Sequence, residues 1–267
     1  MRTNTAEQLP WPAVAAATPA RPDPGPGDLA SCLAGPNGAD LVAELAHDLR
    51  SPLTSILLLA EALQNEHSGS VTDAQRRGLG LIYTAALSLW STASDVVEFA
   101  RGGSDLVHSD PGPCSVFDMF ASVRNMIVPI AQEKGLEVRL VYPIPERRVG
   151  HARALSRVLL NLATNAVNYA DAGFVEIAAR PIGPARLEFS VRDTGPGIDP
   201  TTLKTLYQPF PRQQSAVRHH FSSAGLGLSI CRKLVKTMGS ELRLETRPGW
   251  GTRFFFELDL PPAAALP

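Results

Sequence analysis

The sequence has no apolar run long enough to cross a bilayer and no surplus of basic residues. A transmembrane helix needs about 20 consecutive apolar residues, whereas the longest apolar stretch, residues 56–60, stops at Glu61. The opening MRTNTAEQLPWP lacks the charged-then-apolar layout of a signal peptide. The 25 Lys and Arg are balanced by 26 Asp and Glu, while nucleic-acid binding needs a basic excess. We therefore expect a cytoplasmic protein with no membrane-spanning segment and no nucleic-acid partner.

Cysteine is also scarce. Cys32, Cys114 and Cys231 are the 3 cysteines of the chain, and they lie far apart without CxxC spacing. This pattern indicates neither a zinc site nor a disulfide framework. What the chain does have is 267 residues of which 44% are hydrophobic, enough to supply cores for two modest domains.

The first half of the chain predicts a tail followed by a helical hairpin. Residues 1–37 are rich in Pro and Ala without an apolar period, which indicates a disordered tail. Residues 38–103 contain two helix patterns separated by a polar turn, and Pro52 should kink the first helix. Their apolar positions recur at steps of three and four, at Val42, Leu45, Leu49, Pro52, Ile56, Leu59 and Leu63 and then at Leu79, Ile82, Ala86, Leu89, Ala93, Val96 and Ala100.

A lone antiparallel hairpin would leave much of both apolar stripes in water. Each buried Leu or Ile stabilises by roughly 1.5–3 kcal/mol, so two hairpins should pair as a dimeric four-helix bundle. We therefore expect a homodimer.

The remainder of the chain predicts an α/β domain. Residues 104–114 are rich in Gly and Pro and indicate a linker. Within a domain spanning residues 115–261, helix periods occur at 116–132, 154–169 and 226–238, and strand patterns at 136–142, 174–180, 186–192, 241–247 and 253–258. These elements fit an α/β sandwich with a mixed sheet covered by helices on one face. Residues 262–267 form a short tail.

Three short segments of this domain carry polar or glycine-rich patterns. The stretch LLNLATNAVNY places Asn161, Asn165 and Asn168 on one face of an apolar helix. A single Asn there is usually solvated or capping, but grouped carboxamide oxygens are suitable Mg²⁺ ligands. In DTGPGI, Asp193 could accept a hydrogen bond from an adenine amine beside Gly195 and Gly197, although a plain Gly-Pro-Gly turn has the same pattern.

The third segment, AGLGLS, precedes an apolar helix. Gly225, Gly227 and the helix N-terminus could therefore present backbone amides to phosphate. Alone, each of the three segments is a weak signal, but their order and spacing along the chain add information.

The series NLATNAVNY, DTGPGI, YQPFPR, GLGLSI and GWGTRFFF resembles the ATP-binding domain of sensor histidine kinases, which belong to the gyrase, Hsp90, histidine kinase and MutL superfamily. The resemblance implies ATP and Mg²⁺ as cofactors, with Asn165 holding the metal, helped by Asn161, and Asp193 reading adenine. By the same resemblance, the remaining residues of the nucleotide site would be Tyr169 lining the adenine, Phe210 anchoring a mobile lid, Arg212 near the phosphates, and Gly195, Gly197, Gly225 and Gly227 shaping the pocket.

Some positions depart from the family pattern. Asn168 stands where many relatives have a basic residue, so one phosphate contact is missing, and Arg212 or Arg218 could replace it. An acidic residue common near the start of the asparagine helix is absent from Gly150-His-Ala-Arg153. The motif SSAGLGL also lacks one glycine that many relatives have, which would stiffen the lid.

In the hairpin, HDLRSPLTSI resembles the phosphoacceptor motif of the same kinases. His47 lies two residues after Leu45, so it points away from the apolar stripe and should be exposed. A neutral imidazole keeps one ring nitrogen lone pair that can attack phosphorus, and Asp48 can accept a hydrogen bond from the other nitrogen. Ser51 stands where the family usually has Thr or Asn for positioning water. The hydroxyl is retained, so the sequence does not decide whether the protein also has phosphatase activity.

The resemblance predicts a phosphoprotein: an ATP-dependent histidine autokinase of a two-component system, passing phosphate to an aspartate of a response regulator receiver domain. The input signal would come from a separate sensory protein, from another site on the kinase, or not at all. Two alternatives remain. An ATP-hydrolysing or serine-kinase relative needs a glutamate base one turn before Asn165, where this chain has Asn161. A scaffold or phosphotransfer protein would bind partners through its bundle without catalysis. The sequence leaves open whether transfer occurs within or between subunits.

Overall fold

The computed structural model describes residues 38–64, 69–100, 106–107, 110–199, 203, 206 and 226–263, with the backbone alone at 38–43, 45 and 98–100. The predicted tail of residues 1–37 lies outside the described residues. So do Phe210, Arg212, Arg218 and Gly225. In the described part of the chain, no helix combines the length and apolarity that spanning a membrane requires.

Two long helices form the hairpin, α1 (Gly38–Gln64) and α2 (Asp73–Ala100). Thr72 and Gln75 start α2 with a capping box, in which Gln75 Oε1 accepts from Thr72 N at 2.9 Å and Thr72 Oγ1 accepts from Gln75 N at 3.3 Å. Near the turn, Arg76 Nη1 donates to the carbonyl of Gln64 at 2.9 Å. At the other end, Ala46 clusters with Ala93 and Val97. The two helices therefore run antiparallel, as predicted.

The stripe that the hairpin buries within one chain differs from the stripe that the apolar period indicated. Among the described side chains of α1, Ala46, Leu53 and Ala60 are the buried ones, whereas Leu59 is 64% exposed. Other members of the predicted stripe are also exposed, namely Leu49, Ile56, Leu63, Ile82 and Leu89. Small residues line the contact because they let the two helix backbones approach closely. The larger side chains remain on a neighbouring, uncovered face.

The second domain is built on a mixed sheet. Its strands are β1 (Gly112–Ser115), β2 (Glu137–Val141), β3 (Arg147–Gly150), β4 (Phe174–Pro181), β5 (Arg186–Asp193), β6 (Arg243–Arg247) and β7 (Gly251–Asp259). The order of the described five-stranded sheet is β2-β4-β5-β7-β6, with β2 and β4 parallel and the other pairs antiparallel. The short strands β1 and β3 pair with each other in a separate sheet. Strand β1 begins within residues 104–114, the segment predicted as a linker.

Helices α3 (Val116–Glu133) and α4 (Ala152–Tyr169) pack against the sheet and against each other, and α5 (Gly227–Thr237) packs against α4. On the covered face, Phe120 of α3 meets Phe189 of β5, which stacks on Phe256 of β7. The opposite face carries ion pairs, such as Arg253 with Glu188 and Glu245. The predicted fold class, a helical hairpin followed by an α/β sandwich with helices on one face, is confirmed.

The hairpin also packs against the second domain, mainly through α2, which contacts α3 and α5. Gly80 lies so close to Glu133 that a Cβ at position 80 would overlap its carboxylate. Tyr83 Oη donates to the carbonyl of Met126 at 3.2 Å. The side chains of Tyr83 and Leu87 are buried in the core cluster of the α/β domain. Helix α2 is therefore shared between the hairpin and the domain core.

Candidate nucleotide and phosphoacceptor sites

Helix α4 carries the three asparagines, and both its packing and its C-terminus fix its position. Its apolar face is fully buried, as at Leu155, Leu159 and Leu162. At its C-terminus, Lys134 Nζ donates to the carbonyls of Val167 at 2.9 Å and Asn168 at 2.7 Å. A cation at a helix C-terminus satisfies free carbonyls and favours the helix dipole. The helix that carries the asparagines is therefore fixed in position within the domain.

Asn161 is almost completely buried, at 4% exposure. Its Nδ2 donates to Asp95 Oδ1 of α2 at 3.3 Å and to the carbonyl of Gly227, the first residue of α5, at 3.4 Å. Its Oδ1 has no hydrogen-bond partner among the described residues. A buried carboxamide oxygen without a partner is the kind of atom that a hard cation would coordinate.

Asp95 and Arg157 form a buried ion pair beside Asn161. Arg157 Nη2 donates to Asp95 Oδ1 and, at 3.0 Å, to the carbonyl of Ser91, also on α2. Burial raises the pKa of the Asp95 carboxyl, and the charge of Arg157 and the hydrogen bonds from Arg157 and Asn161 oppose that rise. Removing one partner of a buried ion pair is strongly destabilising, because the other charge is left buried without compensation. The pair therefore ties α2 to α4.

A small cavity lies where α2 faces the asparagine helix. From α2 it is lined by Ser88, Ser91 and Asp95, and from the second domain by Asn161, Thr164, Asn165, Asn168 and Gly227. It leaves space for about one water molecule. The structure thus brings together Asn161, Asn165 and Gly227, as the sequence predicted for a nucleotide site, and adds a wall contributed by the hairpin.

Asp193 ends β5 in a buried position, 7% exposed. Its Oδ1 accepts hydrogen bonds from Gly195 N at 2.8 Å and Thr252 N at 3.2 Å. Burial raises the pKa of Asp193 to about 6, although both backbone donors oppose the rise. The carboxylate is therefore oriented by the backbone, and its charge state changes just below neutral pH.

The glycines after Asp193 allow close backbone contacts. Gly197 has φ of +76°, and a Cβ there would lie 2.3 Å from the carbonyl oxygen of Arg247. At Gly195, a Cβ would lie 3.0 Å from the carbonyl oxygen of Tyr169, the last residue of α4. The Tyr169 side chain is 57% exposed. The loop after β5 is thus packed between the end of α4 and the β6–β7 turn.

The predicted phosphoacceptor lies on α1. The His47 side chain is 69% exposed, as predicted, and its Nδ1 lies 3.6 Å from Asp48 Oδ1. This separation is longer than a direct hydrogen bond, so the predicted contact needs a small side-chain rotation. Ser51, one turn further, is also exposed.

Asp95 and Arg157 were not predicted as site residues. Asp95 is a charged residue within a largely apolar helix segment, and Arg157 precedes Asn161 by four positions on a mostly buried helix. Charged residues are seldom buried unless they are paired, so each could have indicated a partner. Which partner each one has depends on how α2 docks, which the sequence pattern does not specify.

Two family models match the chain, and together they cover more than half of it. Residues 39–105 match the His Kinase A (phospho-acceptor) domain. Residues 150–262 match the histidine kinase-, DNA gyrase B- and HSP90-like ATPase domain. The first match contains α1 and α2 with His47, and the second contains the asparagine helix and Asp193.

Curated relatives include the sensor histidine kinase AruS of Pseudomonas aeruginosa, 31% identical over 84% of this chain and 24% of that protein. The signal transduction histidine-protein kinase BarA of Escherichia coli K12 is 28% identical over 83% of this chain and 24% of that protein. The chain therefore spans about a quarter of the length of these relatives.

Among solved structures, full-length ShkA in complex with AMPPNP is 31% identical and superposes with a TM-score of 0.58, over 85% of this chain and 47% of that one. The Acinetobacter baumannii histidine kinase AdeS, 18% identical with a TM-score of 0.52 over 80% of this chain and 97% of that one, shares the fold. With an acceptor-type hairpin joined to a nucleotide-binding domain of the matching type, the chain belongs to the sensor histidine kinases of two-component signalling.

Proposed function

We propose that this chain is an ATP-dependent autokinase that phosphorylates its own His47. The observation that carries the proposal is the combination, in one chain, of an exposed histidine in HDLRSPLTSI with a buried asparagine and aspartate site of the nucleotide-binding type. Either feature alone has ordinary structural explanations. Together they supply a nucleophile and a phosphoryl donor site.

Asn165 and Asn161 are the proposed ligands of a Mg²⁺ ion. The buried Oδ1 of Asn161, which has no hydrogen-bond partner among the described residues, fits this assignment, as does the position of Asn165 in the lining of the same cavity. A bound Mg²⁺ would offset charge on the triphosphate during transfer. Asp193 would accept the adenine amine, Tyr169 would line the base, and Gly195, Gly197 and Gly227 would let the backbone approach the nucleotide. The proposed lid residues are Phe210, Arg212 and Gly225.

His47 is the proposed nucleophile. The lone pair of Nε2 attacks the γ-phosphorus of ATP, and the N–P bond forms as the bond from phosphorus to the bridging oxygen breaks. ADP then leaves with that electron pair. Asp48 lies on the Nδ1 side of the ring and acts as a positioning residue that stabilises the positive charge developing on the imidazole.

Hydrolysis of ATP as the main activity is disfavoured by the residue at position 161. A water or serine nucleophile needs a base near the phosphate, and the Asn161 amide donates its N–H groups rather than accepting a proton. An imidazole lone pair needs no such base there. The phosphate on His47 would then pass to an aspartate of a response regulator receiver domain, and Ser51 is the proposed residue for any reverse, phosphatase reaction.

We also propose that the chain acts as a homodimer through the uncovered apolar face of the hairpin. A separate sensory protein would provide the input, and the cytoplasm, which supplies ATP, would be the place of action. The large exposed side chains of α1, such as Leu49, Ile56 and Leu59, favour this association, since exposed apolar patches commonly mark interfaces.

The test is labelling with γ-³²P-ATP and Mg²⁺, followed by acid and alkali treatment. A phosphohistidine is acid-labile and alkali-stable. His47→Gln should abolish the label while leaving nucleotide binding intact, because His47 is not among the residues that line the cavity. Asn165→Ala should lose both the label and nucleotide binding. His67→Gln, at another histidine of the hairpin segment, is the matched control and should label like the wild type.

Two outcomes would contradict the proposal. Rapid phosphate release without labelling would indicate an ATP-hydrolysing relative. ATP binding with neither label nor phosphate release would indicate the scaffold alternative.

A further inference from the structure

The C-terminal end of the asparagine helix is held by a lysine from the turn that joins α3 to β2. Lys134 Nζ donates to three consecutive parts of that end, the carbonyls of Val167 at 2.9 Å, Asn168 at 2.7 Å and Ala170 at 3.2 Å. Burial lowers the pKa of the Lys134 amine, and the charge of Asp171 opposes that change. The three carbonyls therefore replace water that the half-buried ammonium group has lost.

The same end of α4 contacts the loop that carries Asp193. A Cβ at Gly195 would lie 3.0 Å from the carbonyl oxygen of Tyr169, and Gly195 N donates to Asp193 Oδ1 at 2.8 Å. Thr194, between them, donates from its Oγ1 to the carbonyl of Ala172 at 2.6 Å. A shift of the end of α4 would therefore also shift the Asp193 carboxylate.

From these contacts we propose that Lys134 is a positioning residue for recognition of the nucleotide base. Its ammonium group fixes the end of α4, and the end of α4 fixes the Asp193 carboxylate where an adenine amine would bind. Guanine has a carbonyl oxygen in place of that amine, and a site built to accept a hydrogen bond discriminates strongly against a ligand that cannot donate one. The inference rests on the proposed nucleotide site and adds that the choice of base depends on Lys134.

The phosphate side of the proposed site is anchored independently of Lys134. Asn161 lies eight residues before Tyr169, which corresponds to about 12 Å along the helix. That part of α4 is fixed by fully buried side chains such as Leu155 and Leu159. Loss of the Lys134 contacts should therefore weaken binding of the adenine base without weakening binding of the triphosphate and Mg²⁺.

Lys134→Met tests this separation, because it removes the cation and its hydrogen bonds and keeps an unbranched apolar side chain. On the full chain with Mg²⁺, non-hydrolysable analogues of ATP and GTP would each displace a fluorescent nucleotide. The wild type should prefer the adenine analogue. In Lys134→Met that preference should fall by roughly tenfold, within the usual range of coupling between sites, through weaker adenine binding alone. Lys134→Arg, which keeps a cation with several N–H donors, should restore most of the preference.

Lys236→Met is the matched control. Lys236 is an exposed lysine in the last turn of α5, so the same substitution at another helix end should leave the preference unchanged. Urea denaturation of each variant measures stability separately. If Lys134→Met lowers the free energy of unfolding but keeps the wild-type preference for adenine, Lys134 only caps the helix and the proposal is overturned.

Thr194→Val approaches the same contact from the Asp193 side and decides the matter if Lys134→Met does not fold. It keeps the shape of the side chain but removes the hydrogen bond to Ala172, so the preference for adenine should fall here too. A wild-type preference in Thr194→Val would contradict the proposal.

Failure of this inference is distinguishable from failure of the proposed function. A wild-type protein that binds neither analogue would reject the nucleotide site and with it the role of Lys134. Normal labelling of His47 together with an unchanged base preference in the Lys134 and Thr194 variants would retain the autokinase and reject only the role of Lys134. A wild type that binds both analogues equally would reject base recognition by Asp193, and therefore also its positioning by Lys134.

Discussion

Asp193 shows how one side chain can be positioned and tuned by its surroundings. Two backbone amides, from Gly195 and Thr252, hold one carboxylate oxygen, and burial raises the pKa of the group to about 6. At pH 7 and above the group is largely ionised and is a strong acceptor for an amine. Below about pH 6 it takes up a proton and loses that charge.

We predict that the ATP affinity falls as the pH drops through about 6, because the protonated carboxyl is a weaker acceptor. At pH 5 the dissociation constant should be roughly tenfold higher than at pH 7.5, since one proton is gained per site. The measurement is a titration with a fluorescent ATP analogue in buffers of constant ionic strength.

Asp193→Asn is the matched control for this pH dependence, since it has no proton to gain. It should bind weakly at every pH. The ratio of the two proteins' dissociation constants cancels the titration of the nucleotide phosphates. Parallel pH profiles for the two proteins would show that Asp193 does not control the affinity in this range.

At the scale of elements, the loop after β5 is anchored to the β6–β7 hairpin. Gly249 N donates to the carbonyl of Pro196 at 2.6 Å, and Ile198 N donates to Thr246 Oγ1 at 2.9 Å. Gly197 lies between these contacts with positive φ, and a Cβ at this position would lie 2.3 Å from the Arg247 carbonyl oxygen. The loop therefore keeps this path only with glycine at position 197.

We predict that Gly197→Ala destabilises the chain by about 1–3 kcal/mol, because the side chain meets both an unfavourable φ and a backbone carbonyl. ATP affinity should fall as well, since the loop also orients Asp193. Urea denaturation and nucleotide titration measure the two effects. Gly183→Ala, in the β4–β5 turn, is the control, because a Cβ there would have its nearest contact at 3.5 Å. Equal stability of the two variants would contradict the strain argument.

The elements that the sequence predicted well are those with a clear period and local end signals. The periods predicted helices at 116–132 and 154–169, and the structure has α3 at Val116–Glu133, capped by Ser115, and α4 at Ala152–Tyr169. The pair β1–β3 was not predicted, because each strand has only 4 residues and no measurable alternation. Strand pairing of that kind depends on the tertiary fold.

The candidate site also contains both residues that the sequence pointed to and residues that it did not. Asn161, Asn165 and Asp193 were identified because their motifs are local in sequence. Asp95 is 66 residues from Asn161, and the contact between them exists only because α2 docks on the second domain. The period of α2 indicated an apolar stripe, but not that Tyr83 and Leu87 would be covered by a different domain.

At the scale of the whole molecule, the hairpin has an exposed apolar face among the residues that the structure describes. On α1, Leu49, Ile56, Leu59 and Leu63 are all exposed and lie beside the buried Ala46, Leu53 and Ala60 positions. On α2, Ile82 and Leu89 are exposed. Two such hairpins placed face to face would continue the same helix packing and form a four-helix bundle.

We predict that Leu59→Arg shifts the protein from dimer to monomer. Leu59 is 64% exposed in the single chain, so the change should cost the monomer fold little, whereas an unpaired charge buried in a dimer seam is strongly unfavourable. Size-exclusion chromatography with light scattering over a range of protein concentrations measures the mass. The dimer dissociation constant should rise by at least about a hundredfold, as expected for a loss of roughly 3 kcal/mol.

Thr54→Arg separates loss of the interface from a general effect of added charge on α1. Thr54 is also exposed, but it lies five residues before Leu59, which places it roughly 140° away around the helix. Its variant should remain a dimer. If both variants dissociate, any added positive charge on α1 disrupts the dimer. If Leu59→Arg remains a stable dimer, the interface lies elsewhere and the apolar face of α1 is free for a different partner.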